Sequence, residues 1–256
     1  MVKRWVEKMK WIRERTKRFF CGALAILSLT GMAWLLLDNG VILLNQPSDS
    51  AYPVRGVDVS KYQGEIDWDE LAAQNLCFAF IKATEGSATV DECFAANVAG
   101  ARESGLSVGA YHFFSFDSPA ETQADNYIRV VEELDDMLPP VIDVELYGKW
   151  KKNPPEASTV RAELNTLIAR LKAHCGKTPI LYATGRSYAL YISGQYPDCD
   201  IWIRNVYTKP ELPDGRAWTF WQYADRGQLP GYDGEERFID LNVFCGTEAE
   251  FLQYAR

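Results

Sequence analysis

The sequence predicts an α/β fold, a barrel of parallel β/α units with an irregular last third, preceded by one transmembrane helix. Three observations carry this reading. An uncharged run of nineteen residues, Phe19 to Leu37, follows a strongly basic start. From Arg55 onward eight short β-rich runs recur, with helical patterns between the earlier ones. The first and last of those runs each carry an aspartate on an apolar strand, Asp58 and Asp240, and the two become neighbours only if the sheet closes. A content of 47% hydrophobic and 24% charged residues suits such a globular chain and excludes a disordered or collagen-like one.

Residues 1–18 hold eight basic side chains against Glu7 and Glu14 and read as a cytoplasmic tail. The run 19–37 is long enough to cross a hydrocarbon core of ~30 Å at ~1.5 Å per residue. A cleaved signal would show a shorter apolar core followed at once by small residues. Leu35-Leu36-Leu37-Asp38 offers no such site, so an uncleaved signal anchor is expected, with everything after it extracytoplasmic. Residues 38–54 then read as a linker, polar from Asn45 to Val54, and 55–256 as the barrel domain.

The β-rich runs are Gly56–Ser60, Phe78–Thr84, Ser107–Ser115, Pro140–Glu145, Pro179–Thr184, Asp200–Asn205, Trp218–Tyr223 and Phe238–Asn242. Ser118 to Leu134 opens with Ser-Pro and a polar first turn, a sound helix start. Ser158 to His174 sets Val160, Leu164, Leu167, Ile168 and Leu171 at helical spacing and stops at Gly176. After Ile201 the connections are short and lack good helices. A Rossmann-type sheet is disfavoured, because Val57-Asp58-Val59-Ser60-Lys61 lacks the glycine-rich turn it needs.

Outside the first eighteen residues the chain has 19 basic and 33 acidic side chains, a poor match to nucleic acid backbones. With two histidines and no Cys-x-x-Cys spacing, neither a metal centre nor a cofactor is expected. The five cysteines beyond the span leave at least one unpaired in a monomer; a Cys175–Cys199 disulfide and buried free thiols are the two readings.

The chemistry lies in acids on apolar strands. Asp143 and Glu145 interrupt Pro-Pro-Val-Ile-Asp-Val-Glu-Leu, two residues apart and therefore on one strand face. Two close carboxylates push one pKa up, and a proton donor beside an anion is the equipment for cleaving a glycosidic bond. Asp58 and Asp240 complete the set. Tyr62, Tyr111, Tyr182, Trp202 and Trp221 are candidate sugar-stacking rings near the same strand ends, and Gln222 a candidate hydroxyl partner. His112 reads as a satisfied polar residue of its strand.

Arg55-Gly-Val-Asp-Val-Ser-Lys-Tyr-Gln-Gly64 with Ile66-Asp67-Trp68 resembles the opening of glycoside hydrolase family 25, the Chalaropsis-type lysozymes. Phe78–Gly86, Gly109–Phe114, Pro140–Glu145, Phe220–Tyr223 and Asp240–Phe244 follow in the family's order. The resemblance covers roughly residues 55–250. It implies a flattened, irregular (β/α) barrel, TIM-like with a degenerate last third, and an acidic groove. It also implies an N-acetylmuramidase acting on peptidoglycan glycan strands, with Glu145 as proton donor, Asp143 as its partner, and Asp58 and Asp240 as further pocket acids. A membrane-anchored, monomeric bacterial enzyme is the expectation. A tethered peptidoglycan-binding module without turnover is the alternative from another class. A family 18 chitinase-like hydrolase fits less well, since Val141 and Pro139 stand where it needs acids.

Overall fold

The computed structural model describes residues 2–131 and 136–256. It divides into two compact units, residues 1–43 and 44–256. The first is a single helix, α1 (Val2–Asp38), carrying an uninterrupted apolar stretch with mean hydropathy 2.0 over eighteen residues, none of it buried.

The second unit is a closed barrel. Its strands are β1 (Arg55–Val59), β2 (Phe78–Glu85), β4 (Ser107–Phe113), β5 (Val141–Val144), β6 (Ile180–Thr184), β7 (Ile201–Arg204), β8 (Phe220–Gly227) and β9 (Ile239–Phe244), with a two-residue β3 (Thr89–Val90) hung on β2. All eight expected runs are strands, displaced at their ends by a few residues at most. From β1 through β8 neighbouring barrel strands are parallel; β9 pairs antiparallel with both β8 and β1 and closes the sheet. The irregularity expected in the last third thus takes the form of an antiparallel last strand. Residues 228–238 between β8 and β9 carry no helix, so the chain turns back instead of crossing over.

Short α2 (Trp68–Ala72) and the longer α3 (Phe94–Glu103), α4 (Ala120–Val131) and α5 (Ala157–Cys175) connect the parallel strands. The end of the expected 118–134 helix falls on residues 132–135, outside the described residues. The expected 158–174 helix is α5, terminated by Gly176 at φ 69°, a left-handed cap that suits glycine. Another helical turn, α6 (Gly185–Ser187), leads into a wide turn at Tyr188–Ile192, and α7 (Glu248–Tyr254) ends the chain.

Aromatic rings fill the barrel. Phe80 stacks on Trp202 at 4.5 Å between centroids, Phe78 and Phe220 meet at 5.2 Å, and Phe251 of α7 packs on Phe78 and Phe244. Two glycines make room: a Cβ on Gly56 would lie 2.5 Å from the Phe78 ring, and one on Gly109 2.5 Å from the Phe80 ring.

Most of the expected linker, residues 44–54, belongs to the barrel unit. Asn45 donates to the Asn205 carbonyl, Arg55 pairs with Asp49 at 2.7 Å, Tyr52 stacks on Trp218, and Phe244 N–H donates to the Val54 carbonyl. All six cysteines are free thiols, so Cys175 and Cys199 form no disulfide.

Candidate active site

The four acids meet at one end of the barrel because of strand direction. Asp58 lies near the carboxyl end of β1, Asp143 near that of β5, and Glu145 just past it. β9 runs the other way, so Asp240 near its start reaches the same end, directly opposite Asp58 in register.

Asp58 and Asp240 act as one unit. Their carboxyl groups hydrogen-bond each other, and Gln222 Nε2 donates to both, at 2.9 Å to Asp58 and 3.1 Å to Asp240. Asn242 Nδ2 donates to Asp58 at 2.6 Å. The orientation of each amide is fixed from behind. The Tyr182 hydroxyl donates to Gln222 Oε1 at 2.9 Å, and Trp202 Nε1 donates to Asn242 Oδ1 at 2.8 Å. An amide with its oxygen so occupied must turn its N–H groups to the acids. Burial nonetheless raises Asp58 to about 6, against the pull of the donors from Gln222 and Asn242. Asp240 is pushed well above the usual carboxylate range by burial and by the charge of Asp58.

Asp143 is 7% exposed and its Oδ1 has no hydrogen-bond partner among the described residues. Burial first, then the charge of Glu145, pushes its carboxyl well above the ordinary value; the Lys82 ammonium, paired with Glu85 at 2.7 Å, pulls the other way. Asp143 is the member of the pair that the strand buries. Glu145, past the strand end, is only half-buried.

The aromatic expectations divide. Tyr62 (47% exposed) and the half-buried Tyr111 line a groove of ≈ 280 Å³ together with Asp58, Asp240, Asp225 and Glu236. Trp202, 2% exposed, and Tyr182, 4% exposed, lie inside the core and present no ring face to a sugar. Gln222, 1% exposed, spends its amide on Asp58, Asp240 and Tyr182 instead of a sugar hydroxyl. Trp221 lies on the strand face opposite Gln222, 3% exposed, among Tyr52, Trp218 and Tyr223, with Nε1 bonded to the Asn205 carbonyl. His112 is fully buried between Thr84 and Gln123, at 2.7 and 3.0 Å, and burial lowers it to about 4. It is held neutral, as a structural polar residue should be.

Sequence reasoning missed Asn242, Asp225 and Glu236. Asn242 was within reach: it stands two residues after Asp240 on β9 and so shares its face.

The sequence profile of glycosyl hydrolases family 25 matches residues 57–232. The chain belongs to that family. The solved structure of a family 25 glycosyl hydrolase from Bacillus anthracis is 56% identical, with a TM-score of 0.78 over 82% of this chain and 97% of that one. A bacterial lysozyme from Streptomyces coelicolor is 30% identical with a TM-score of 0.71, over 79% of this chain and 96% of that one. Lysozyme M1 of Streptomyces globisporus is 31% identical over 225 residues, 82% of this chain and 73% of its own. As a family 25 member the chain is a glycoside hydrolase, and its closed α/β barrel is the fold those structures share.

Proposed function

We infer that this family 25 chain is a lysozyme-type muramidase, hydrolysing the β-1,4 bond between N-acetylmuramic acid and N-acetylglucosamine in peptidoglycan. The observation that carries the reading is the meeting of Asp143 and Glu145 with the Asp58–Asp240 pair at one barrel mouth beside an acidic groove. The similarity to Lysozyme M1 and to the Streptomyces coelicolor lysozyme supports it.

In this reading Glu145 delivers a proton to the leaving glycosidic oxygen. Asp143, whose Oδ1 lacks a partner, accepts the N–H of the muramic acid acetamido group and steers its carbonyl oxygen onto C1. Water deprotonated by Glu145 then opens the cyclic intermediate and restores the acid. Asp58 and Asp240, sharing a proton, keep that side of the groove from carrying two full negative charges against the sugar. Tyr62 and Tyr111 offer ring faces to it.

Action is on the extracytoplasmic side, where peptidoglycan lies. The basic residues 1–18 with the apolar stretch 19–37 of α1 support an uncleaved anchor that keeps the barrel, as a monomer, on the membrane's outer face.

Product chemistry tests the bond assignment. Digestion of purified peptidoglycan followed by borohydride reduction should yield muramicitol at the new ends. Glucosaminitol would mean cleavage on the other side, and no new reducing ends would mean a binding module; either outcome rejects the reading.

A further inference from the structure

The same barrel mouth carries a patch of opposite sign. Residues 149–152 read Lys-Trp-Lys-Lys in a domain with a large excess of acids. They begin four residues past Glu145 and form one tight turn over Gly148–Lys151. The turn is held firmly. Trp150 Nε1 and Lys149 Nζ both donate to Asp117 after β4, at 3.1 and 2.8 Å. The Tyr147 hydroxyl accepts from Phe116 N–H at 3.1 Å, and their rings stack. From α6, directly after β6, Arg186 donates to the Lys151 carbonyl. Because β4, β5 and β6 are parallel neighbours, all three loops lie at the end that holds Asp143 and Glu145.

The charges differ in their partners. Lys149 is neutralised by Asp117 and lies over the Trp150 ring. Lys151, Lys152 and Arg186 are exposed, and no ion pair joins them to a carboxylate among the described residues. The nearby acid on this side, Glu156 at the start of α5, is exposed and makes no ion pair with them either. A turn whose backbone is tied down on both sides, presenting three cations not engaged by protein carboxylates, holds positive charge where an anion can reach it.

We propose that Lys151, Lys152 and Arg186 form a subsite for the carboxylates of the peptide stem borne by the glycan strand. The proposal rests on the muramidase reading and deepens it. Glu145 protonates the glycosidic oxygen in that reading, so the glycan strand crosses the same mouth as the loop that leaves Glu145. There the next muramic acid along the strand brings its peptide. An acidic groove repels an anionic strand; cations on the rim offset that repulsion where the strand's own charges sit and fix its register.

The test uses the full-length protein in detergent, comparing wild type with the double variant K151Q/K152Q. Substrates are peptide-bearing glycan freed of phosphate polymers by hydrofluoric acid, the same glycan stripped of stems by an amidase, and untreated wall. Exposed charge pairs of this kind are worth about threefold to tenfold together. KM on phosphate-free, peptide-bearing strands should rise by that factor with kcat unchanged, and both constants should stay at wild-type values on stem-free strands. Raising salt should raise the wild-type KM on peptide-bearing strands and move that of the variant less. Equal KM changes on both glycans, or none, would overturn the proposal. A KM effect confined to untreated wall would assign the patch to wall phosphate and overturn it too. Cleavage of stem-free strands by the wild type keeps the muramidase reading standing whatever the variant does; a wild type that cleaves no substrate would reject both.

Discussion

Replacing Asp58 with asparagine should make the barrel more stable and the enzyme worse. Asp58 Oδ1 accepts from Gln222 and Asn242, and its carboxyl also bonds that of Asp240. An asparagine oxygen can accept the same two bonds, while its amide N–H donates to Asp240, so no partner is orphaned. What disappears is a charge that burial disfavours. Burial raises Asp58 from 3.8 to about 6, so the folded protein holds this proton more tightly than the unfolded chain does. The cost is therefore absent below pH ~4, grows as pH rises between the two values, and is complete above ~6. About two pKa units correspond to ~3 kcal/mol, which the partly exposed, groove-facing position of Asp58 trims to ~2 kcal/mol. Asp58→Asn should thus raise Tm at pH 7 by ~4–8 °C for a domain of this size, and the gain should shrink to under ~2 °C at pH 4. Thermal unfolding followed by near-ultraviolet circular dichroism at the two pH values measures it. An unchanged or lower Tm at pH 7, or an equal gain at both, would show that burial does not govern this carboxyl. Turnover should fall at the same time, the usual trade between a strained site and stability.

Glu145→Gln should lower kcat on peptidoglycan by ~10²–10⁴ with little change in Tm, since the amide fills the same space but supplies no proton; near-normal turnover by a folded variant would remove Glu145 from the acid role. A carboxyl-terminal tag should report the full-length chain in the membrane fraction, with the tag open to protease added outside spheroplasts. A soluble, shortened protein as the sole species would refute the anchor.

The strands were legible because each is a short apolar run bounded by turn residues, and the acids because a carboxylate on such a run demands a reason. Strand direction was less legible, yet its signal exists: Gly227 to Phe238 is rich in glycine and charge and holds no helical pattern, so β9 returns antiparallel. The rings misled for two physical reasons. Alternation alone forbids Trp221 and Gln222 from facing the same space, so one of the two had to be wrong. Tyr182 and Trp202 do face inward, but alternation gives the face of a strand and not the depth along the barrel axis. Their depth is set by Phe80, which lies 4.5 Å from the Trp202 ring across the interior, a contact invisible in either segment alone.

Depth is also what divides labour among the acids. Tyr182 and Trp202 belong to the core, and each passes its single donor upward to an amide that in turn holds Asp58. The orientation of the Asp58–Asp240 pair is therefore enforced by packing of the barrel interior, and a ligand reaching for those oxygens must compete with three amide hydrogen bonds already made. Asp143 is the opposite case. Its Oδ1 is buried and has no protein partner among the described residues. A ligand N–H placed there meets an acceptor that no protein donor engages, whereas Asp58 already accepts from Gln222 and Asn242. The pair already satisfied is suited to holding charge in place, and the carboxyl left unsatisfied is suited to holding substrate. That asymmetry supports the proposed acetamido contact at Asp143, and the half-buried place of Glu145 past the strand end supports its proposed part as the acid.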